Sequence, residues 1–455
     1  MAWLVTGGAG YVGAHVVRDL ISSGRDVVVL DDLSTGRAAR LPDGVALVRG
    51  EVGSRRAVRQ ALLEHPVTGV MHLASQRDPQ EAVANPLRHW CRNIGGLQVL
   101  LEEMVAAGVS QLVHASSAAV YGTAPSGADQ RPEAEAHIPR ISESSPARPA
   151  EPCGATALAG EWMISATVAA NDWRALSLRL FEVAGTRSPE LADPLALNLI
   201  AGVLDALAAG RPPALHGDDH ATPDGSRIRD YVHVADVSAA LLAAVRVVEH
   251  AHTDKVGTVE PVDAVRSATE RVQHAAAMAE LAASRLPGGS RAVEVATHVP
   301  DAAEAAAEIA ARAAARVPAA ARALEFAAAR LPGAVRAGTA SASVREQAAE
   351  LVAEVASQLS SLVARVAGLV EAPPLLGHMA INIGSGRGYS DLEVVTALRT
   401  SVGAQFGVDV MAKRAYDPPA LVAGTDLAAQ MLGWRPRLTL ADMVDSERTA
   451  RSEPA

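Results

Sequence analysis

Three glycines near the start of the chain have the spacing of a loop that binds nucleotide phosphates. Gly7, Gly10 and Gly13 lie in TGGAGYVGAH, directly after the apolar run of residues 2–6. Glycines let the backbone approach a pyrophosphate, and the first amides of the following helix supply hydrogen-bond donors at its positive end. A second apolar run, DVVVLDD, ends in an acidic pair that begins with Asp31. A carboxylate there binds ribose hydroxyls and repels a 2′-phosphate, so the pattern predicts NAD rather than NADP.

The elements that must hold this loop are short apolar strands that alternate with helical stretches. Beyond the two strands that flank the loop, runs typical of buried strands occupy residues 46–51, 69–75 and 111–117. This alternation predicts an α/β fold with a parallel, doubly wound sheet. Ligands of such sheets gather at the carboxyl ends of the strands, so we expect Ala74, Ser75, Ser116 and Ser117 to lie near one.

Composition narrows the possible functions. The chain has 455 residues and 49% of them are hydrophobic, which is enough for two or three domains with a sizeable core. Its net charge of −10 argues against a general affinity for nucleic acid or for an anionic membrane surface. The only lysines are Lys255 and Lys413, so few positions could supply a lysine for catalysis.

Cysteine usage and the first residues bear on localisation. Cys91 and Cys153 are too few for a disulfide framework, and neither belongs to a pair with metal-ligand spacing. The chain opens directly on a strand, without the charged and apolar regions of a signal peptide. No apolar run reaches the roughly 18 residues that a membrane-spanning helix needs. We therefore expect a reduced cytoplasmic protein without a metal.

Several segments taken together resemble the extended short-chain dehydrogenase/reductases, and among them the UDP-glucose 4-epimerase family. These segments are TGGAGYVGAH, LDDLSTG, HLAS, SSAAVYG and DGSRIRDYVHVADV, and the likeness covers about residues 1–250 and 376–446. The resemblance implies a Rossmann domain that holds NAD and a smaller C-terminal portion that holds a nucleotide sugar, most simply a UDP-sugar. The predicted domains are 1–185 for NAD, 186–251 with 375–455 for the sugar nucleotide, and an inserted helical region at 252–374.

The resemblance carries cofactor-binding roles to particular positions. Glu51 stands where the family usually has an aspartate near adenine, Arg77 where it often has a lysine near the phosphates, and Asn93 in the helix beside the cofactor. The full set of positions that the resemblance assigns to NAD is Gly7, Gly10, Tyr11, Val12, Gly13, Asp31, Glu51, Ala74, Arg77 and Asn93.

This chain departs from the family's sequence pattern at the catalytic positions. Ser117 matches the family's catalytic serine, but EPCGATALAGE places Cys153 at the catalytic tyrosine position and Ala157 at the lysine position, with prolines at three-residue intervals fixing the register. In the family the tyrosine exchanges a proton with the sugar hydroxyl while the hydride moves to NAD and back. A thiol is too short to reach that hydroxyl except through a water, and it lacks the nearby cation that would make it a thiolate.

Two interpretations of Cys153 and Ala157 stay open. Neutral drift or an engineered change would leave a scaffold that binds its ligands without normal turnover, and this interpretation is favoured. Alternatively, the protein is an active epimerase or dehydratase whose proton relay is rebuilt around Ser117 and Cys153. Whether the protein is an enzyme is therefore undecided at the level of sequence.

The resemblance also assigns residues to the binding of the sugar nucleotide. Arg229 in DGSRIRDYVHVAD and Arg414 match arginines that bind phosphate, Asp417 matches a ribose contact, and Asn198 matches an asparagine near the phosphates. A guanidinium suits a diphosphate because its planar fork meets two oxygens at once. Glu182 departs from the pattern, since the family has an asparagine that touches the sugar. A carboxylate there suggests a different sugar, weaker sugar binding, or none.

Residues 252–374 have no counterpart in the family. They are rich in alanine, glutamate and arginine, and apolar residues recur at steps of three and four from Val344 to Leu369. This spacing predicts helices with narrow apolar seams. We expect a helical bundle that mediates homo-oligomer formation or docking of a protein partner.

Overall fold

Seven parallel strands form the central sheet of the computed structural model. Their order across the sheet is β10-β6-β5-β4-β1-β2-β3, and every neighbouring pair is parallel. The strands are β1 (Ala2–Thr6), β2 (Asp26–Asp31), β3 (Ala46–Arg49), β4 (Val67–His72), β5 (Gln111–Ser117), β6 (Arg174–Leu180) and β10 (Gly377–Ile383). The structure describes residues 2–122, 138–250, 377–414 and 417–452, and all of these belong to one compact unit.

The order of the strands fixes where a ligand can bind. The chain passes outward from β1 to β2 and β3, then returns to pair β4 with the other side of β1. In a doubly wound sheet, this reversal opens a crevice at the carboxyl ends of the two central strands. The glycine loop follows β1 and therefore lies at that crevice.

Helices cover both faces of the sheet. They are α1 (Tyr11–Ser22), α2 (Arg55–Leu63), α3 (Pro79–Ala84), α4 (Pro86–Trp90), α5 (Gly96–Ala107), α6 (Pro152–Asn171) and α8 (Val234–His250). The apolar sides of α1 and α8 share one buried cluster with the sheet, whereas α2, α5 and α6 share a second cluster on the opposite face. This two-sided burial explains why the strands are apolar along their whole length.

A smaller set of elements lies beyond the carboxyl ends of the sheet. It contains β7 (Glu182–Ala184), β8 (Ala214–His216), β9 (Ile228–His233), β11 (Gly388–Ser390), β12 (Asp409–Met411), β13 (Ala420–Leu421), α7 (Leu199–Ala208), α9 (Asp391–Val402), α10 (Asp426–Leu432) and α11 (Leu440–Ser452). Strand β9 pairs with β7, β11 and β13, and so joins segments from both sides of residues 251–376.

The predicted α/β fold with a doubly wound parallel sheet is confirmed. The predicted division at residue 185 stays a prediction about function, but the sheet crosses it, because β10 pairs with β6 throughout Gly377–Ile383. The helical bundle expected at 252–374 lies outside the described residues. Among the described residues, no helix is both long and apolar enough to cross a bilayer, and no group of three potential metal ligands occurs.

Candidate functional site

The glycine loop is so tightly folded that side chains are excluded from it. Gly7 has a φ of +71°, and a Cβ on Gly13 would stand 2.1 Å from the carbonyl oxygen of Gly7. Helix α1 begins at Tyr11, and no side chain caps its N-terminus at Gly10. The first amides of a helix have no partner within the helix. The loop therefore presents backbone donors and a positive dipole end to a phosphate group.

Asp31 lies at the end of β2, beside this loop. Its carboxylate accepts hydrogen bonds from the backbone amides of Ala9 at 2.9 Å and Leu33 at 2.8 Å. Burial raises the pKa of Asp31, while the two amides act in the opposite direction. Each carboxylate oxygen retains acceptor capacity for a ribose hydroxyl. The loop and Asp31 thus fit the pyrophosphate and the adenosine ribose of NAD.

A cavity of about 690 Å³ opens from this region toward the smaller set of strands. Predicted site residues from both sides of the crevice line it: Tyr11, Val12, Ala74, Arg77, Asn93, Ser117, Cys153, Ala157, Glu182, Asn198, Arg229, Arg414 and Asp417. Gly7, Gly10, Gly13 and Asp31 are not part of its wall. Glu51 is exposed and lies 3.7 Å from Arg92, so the structure does not bring it into the cavity.

Cys153 lies in the first turn of α6, where a capping carboxylate controls its surroundings. Glu151 caps the helix by accepting hydrogen bonds from the amides of Cys153 at 2.6 Å and Gly154 at 2.7 Å. Burial raises the pKa of the Cys153 thiol, and the negative charge and hydrogen bond of Glu151 raise it further. The thiol is therefore protonated at neutral pH and is a poor base.

Ser117 and Ala157 complete this wall of the cavity. The Ser117 hydroxyl oxygen accepts a hydrogen bond from the amide of Ala119 at 3.1 Å, which leaves its proton available to a ligand. Ala157 follows Cys153 by one helical turn and lies on the same side of α6, so both positions face the cavity. With alanine at 157, this turn provides no cation.

The raised pKa of Cys153 makes a direct prediction about its reactivity. At pH 8, iodoacetamide should alkylate the exposed Cys91 at least about tenfold faster than the half-buried Cys153, because the thiolate is the reacting form. Peptide mass spectrometry over a time course measures both rates in one sample. Equal rates at the two positions would contradict a protonated, unactivated thiol, and Cys91→Ser serves as the control that isolates Cys153.

Two arginines at the start of β9 are held in place by contacts that include distant parts of the chain. Arg227, one residue before the strand, pairs with Asp391 at 2.9 Å and with Asp417 at 2.8 Å. Arg229 is buried and donates hydrogen bonds to the carbonyl oxygens of Ile228 at 2.9 Å and Pro418 at 2.8 Å. These contacts fix both guanidinium groups at the edge of the cavity.

Two further predicted residues are positioned by local hydrogen bonds. Arg414 lies 2.8 Å from the Nε2 atom of His216, on the neighbouring strand β8. Asn198 caps α7 through its Oδ1 atom, which accepts a hydrogen bond from the amide of Ala201 at 3.0 Å. Its Nδ2 atom is buried and has no partner among the described residues. Asn198 therefore keeps an unused donor in the wall of the cavity.

Glu182 opens β7 and lines the same cavity. Burial raises the pKa of its carboxyl, and the nearby Arg229 and Arg227 only partly counter this effect. No hydrogen bond from the described part of the chain reaches its carboxylate, so its oxygens are available to a ligand.

The chain matches the NAD dependent epimerase/dehydratase family over residues 3–257. It belongs to that family. A UDP-glucose 4-epimerase from Streptomyces lividans is 42% identical over 248 residues, which are 54% of this chain and 71% of that protein. Another, from Azospirillum brasilense, is 40% identical over 246 residues, or 53% of this chain and 67% of that protein. The prediction of an NAD-dependent family is thereby confirmed.

Solved structures of the family have the same fold. The UDP-glucose 4-epimerase from Bifidobacterium longum, in complex with NAD⁺ and UDP, superimposes with a TM-score of 0.66 at 21% identity and covers 99% of this chain and 98% of that one. The enzyme from Stenotrophomonas maltophila, with bound NAD and formylated UDP-arabinopyranose, has a TM-score of 0.65 at 22% identity over 99% and 98% of the two chains.

Asn93 and Arg77, both predicted to bind the cofactor, contact other residues of the protein in this structure. Asn93 accepts a hydrogen bond from the amide of Gln76 at 2.9 Å and donates one to its carbonyl oxygen at 3.2 Å, so it fixes the segment after β4. Arg77 pairs with the buried Asp193 and lies over the Tyr11 ring, 5.7 Å from its centroid. Both residues hold the wall beside the glycine loop.

Sequence reasoning missed three features of this family member's site. It did not identify Glu151, although a polar residue before a proline is a common signature of a helix start. It did not identify Arg227, whose carboxylate partners are 164 and 190 residues away. It also missed His72 and His114, which stack with ring centroids 5.7 Å apart in the cavity wall. Burial lowers the pKa of His72 to about 4, so this histidine is neutral.

Proposed function

We propose that this protein binds NAD and a UDP-sugar but interconverts the 4-epimers of that sugar far more slowly than an ordinary UDP-glucose 4-epimerase. Bound NAD would supply a hydride acceptor and donor, and the glycine loop and Asp31 would hold its pyrophosphate and ribose. Arg229, Arg414 and the amide of Asn198 suit a diphosphate, because each offers a donor at the cavity wall. The relatives and solved structures of the family support this class of ligand.

The proposed loss of turnover rests on the two side chains that α6 presents at the family's catalytic positions, Cys153 and Ala157. Removing a hydride from a sugar carbon requires a base for the hydroxyl proton, and the group at the family's base position is a thiol that burial and Glu151 keep protonated. No cation follows it at position 157. Loss of a positioned acid–base group typically costs about 10²–10⁴-fold in rate.

One observation favours a second function. Glu151 lines the cavity together with Cys153 and Ser117, so an ionisable side chain is present where the sequence alone suggested none. In this alternative, a sugar proton passes through Ser117 or a water to the carboxylate of Glu151. Its two carboxylate oxygens already accept hydrogen bonds from the amides of Cys153 and Gly154 at the helix start.

Two measurements on the purified protein test the proposal. Denaturation followed by mass spectrometry of the released small molecules should identify NAD, and titration with UDP-glucose should show saturable binding. A coupled assay of UDP-glucose and UDP-galactose interconversion should show at least about 100-fold less turnover than a relative such as the Streptomyces lividans enzyme. Turnover comparable to that enzyme would favour the alternative, and loss of that turnover in Glu151→Gln would identify the replacement base.

A further inference from the structure

The surroundings of Glu182 contain charges of both signs. Arg229 of β9, Arg227 just before it, Asp391 at the start of α9 and Asp417 before β13 interact electrostatically with its carboxyl, and Tyr231 is its register partner on β9. Arg211, Arg414 and His216, the partner of Arg414, line the same cavity. With Glu182 ionised, the cluster around it has three carboxylates, namely Glu182, Asp391 and Asp417, against two arginines.

This local excess of carboxylates is unfavourable for a ligand that carries a diphosphate. Arg227 is already shared between two aspartates, and Arg229 lies 3.9 Å from one of them. An ionised Glu182 therefore places a further negative charge beside the phosphates and repels them. One added proton would remove that repulsion.

The hydrogen-bonding capacity of Glu182 also favours its protonated form when a ligand is bound. A carboxylate only accepts hydrogen bonds, whereas the neutral acid donates one. The oxygens of a sugar ring, a glycosidic bond or a phosphate need donors. The unbonded Glu182 carboxyl can meet such an oxygen only after it is protonated.

We propose that Glu182 binds the nucleotide sugar as a neutral acid, so that binding takes up one proton and the neutral carboxyl donates a hydrogen bond to a ligand oxygen. The inference rests on the proposed binding of a UDP-sugar at this cavity. Burial already raises the pKa of Glu182 in the free protein, which reduces the cost of protonating it. Glu182 is thereby a positioning and affinity residue rather than a base.

Calorimetric titration with UDP-glucose between pH 6 and pH 8.5 tests this inference. UDP-glucose is the suitable probe because its diphosphate, esterified at both ends, does not titrate in that range. The dissociation constant should rise by up to about tenfold per pH unit once the pH exceeds the pKa of Glu182 in the free protein. Binding heats in buffers of different ionisation enthalpy should show an uptake approaching one proton.

The variant Glu182→Gln is the decisive comparison, because its amide is a permanent, uncharged donor of the same shape. It should bind UDP-glucose with little dependence on pH, without the proton uptake of Glu182, and at pH 8.5 at least about tenfold more tightly than the unmodified protein. Glu64→Gln, the same change at an exposed position directly after α2, should leave the pH dependence unaltered.

The outcomes separate this inference from the proposed function. Failure of UDP-glucose to bind any of these proteins at any pH would remove the proposed function and this inference with it. Binding that is independent of pH in the unmodified protein would overturn only the inference. His216 could also take up a proton near a diphosphate, so uptake that disappears in His216→Gln and persists in Glu182→Gln would equally overturn it.

Discussion

The double variant Cys153→Tyr/Ala157→Lys is expected to interconvert UDP-glucose and UDP-galactose at least about 100-fold faster than the unmodified protein. Both positions face the cavity from consecutive turns of α6, and Ser117 stands in the same wall. A phenol at 153 extends several ångströms further into the cavity than a thiol. An ammonium at 157, one turn away, lowers the pKa of that phenol and so supplies a base near neutral pH.

Neither single substitution should produce this increase in rate. Cys153→Tyr alone places a phenol beside Glu151, whose negative charge opposes ionisation, just as it does for the thiol. Ala157→Lys alone adds a cation but leaves the proton acceptor too short. Groups that act as a unit show strongly non-additive effects, so most of the gain should appear only in the double variant.

The matched control is Cys153→Phe/Ala157→Lys, which fills the same space and carries the same charge but has no hydroxyl. It should remain as slow as the unmodified protein while binding UDP-glucose. Equal rates for the two double variants would show that the phenol is not the base. A Tyr/Lys variant that binds both ligands without turnover would place the defect on the sugar side, where Glu182 is the first residue to revert to asparagine.

Local pattern was enough to predict the glycine loop and the strands that flank it. The glycines of the first loop, the buried strand before them and the acid that ends β2 lie within 31 residues, and each follows from a backbone requirement that neighbouring residues satisfy. The same holds for the five strands expected before residue 118, all of which belong to the parallel sheet. Most of the positions that the resemblance assigned line the cavity.

What the sequence could not give are contacts between residues far apart in the chain. The pairing of Arg227 with Asp391 and Asp417 determines how much positive charge the cavity offers, and it depends on strands from both sides of residues 251–376 lying together. The sequence showed that Cys153 lacked a cation. Only the fold showed that a capping carboxylate, Glu151, adds a negative charge beside it.

The variant Gly13→Ala is expected to lose its bound NAD. An alanine Cβ at this position would stand 2.1 Å from the Gly7 carbonyl oxygen and 2.7 Å from the Gly8 Cα atom, and both are backbone atoms that cannot rotate away. The loop must therefore open, which moves the first amides of α1 away from the pyrophosphate. Overpacking of this kind costs about 1–3 kcal/mol, and a loss of that size in binding corresponds to roughly 5–150-fold in NAD affinity.

The measurement is the NAD content of the purified variant after denaturation, together with its thermal unfolding midpoint in the presence and absence of added NAD. Gly53→Ala is the matched control, because no atom lies within 4 Å of the Cβ that it would add. It should keep its NAD and its response to added cofactor. Because the steric conflict lies within the loop itself, Gly13→Ala should lose NAD whether or not α6 carries a working base. A Gly13→Ala protein with a full complement of NAD would show that the cofactor does not depend on this loop.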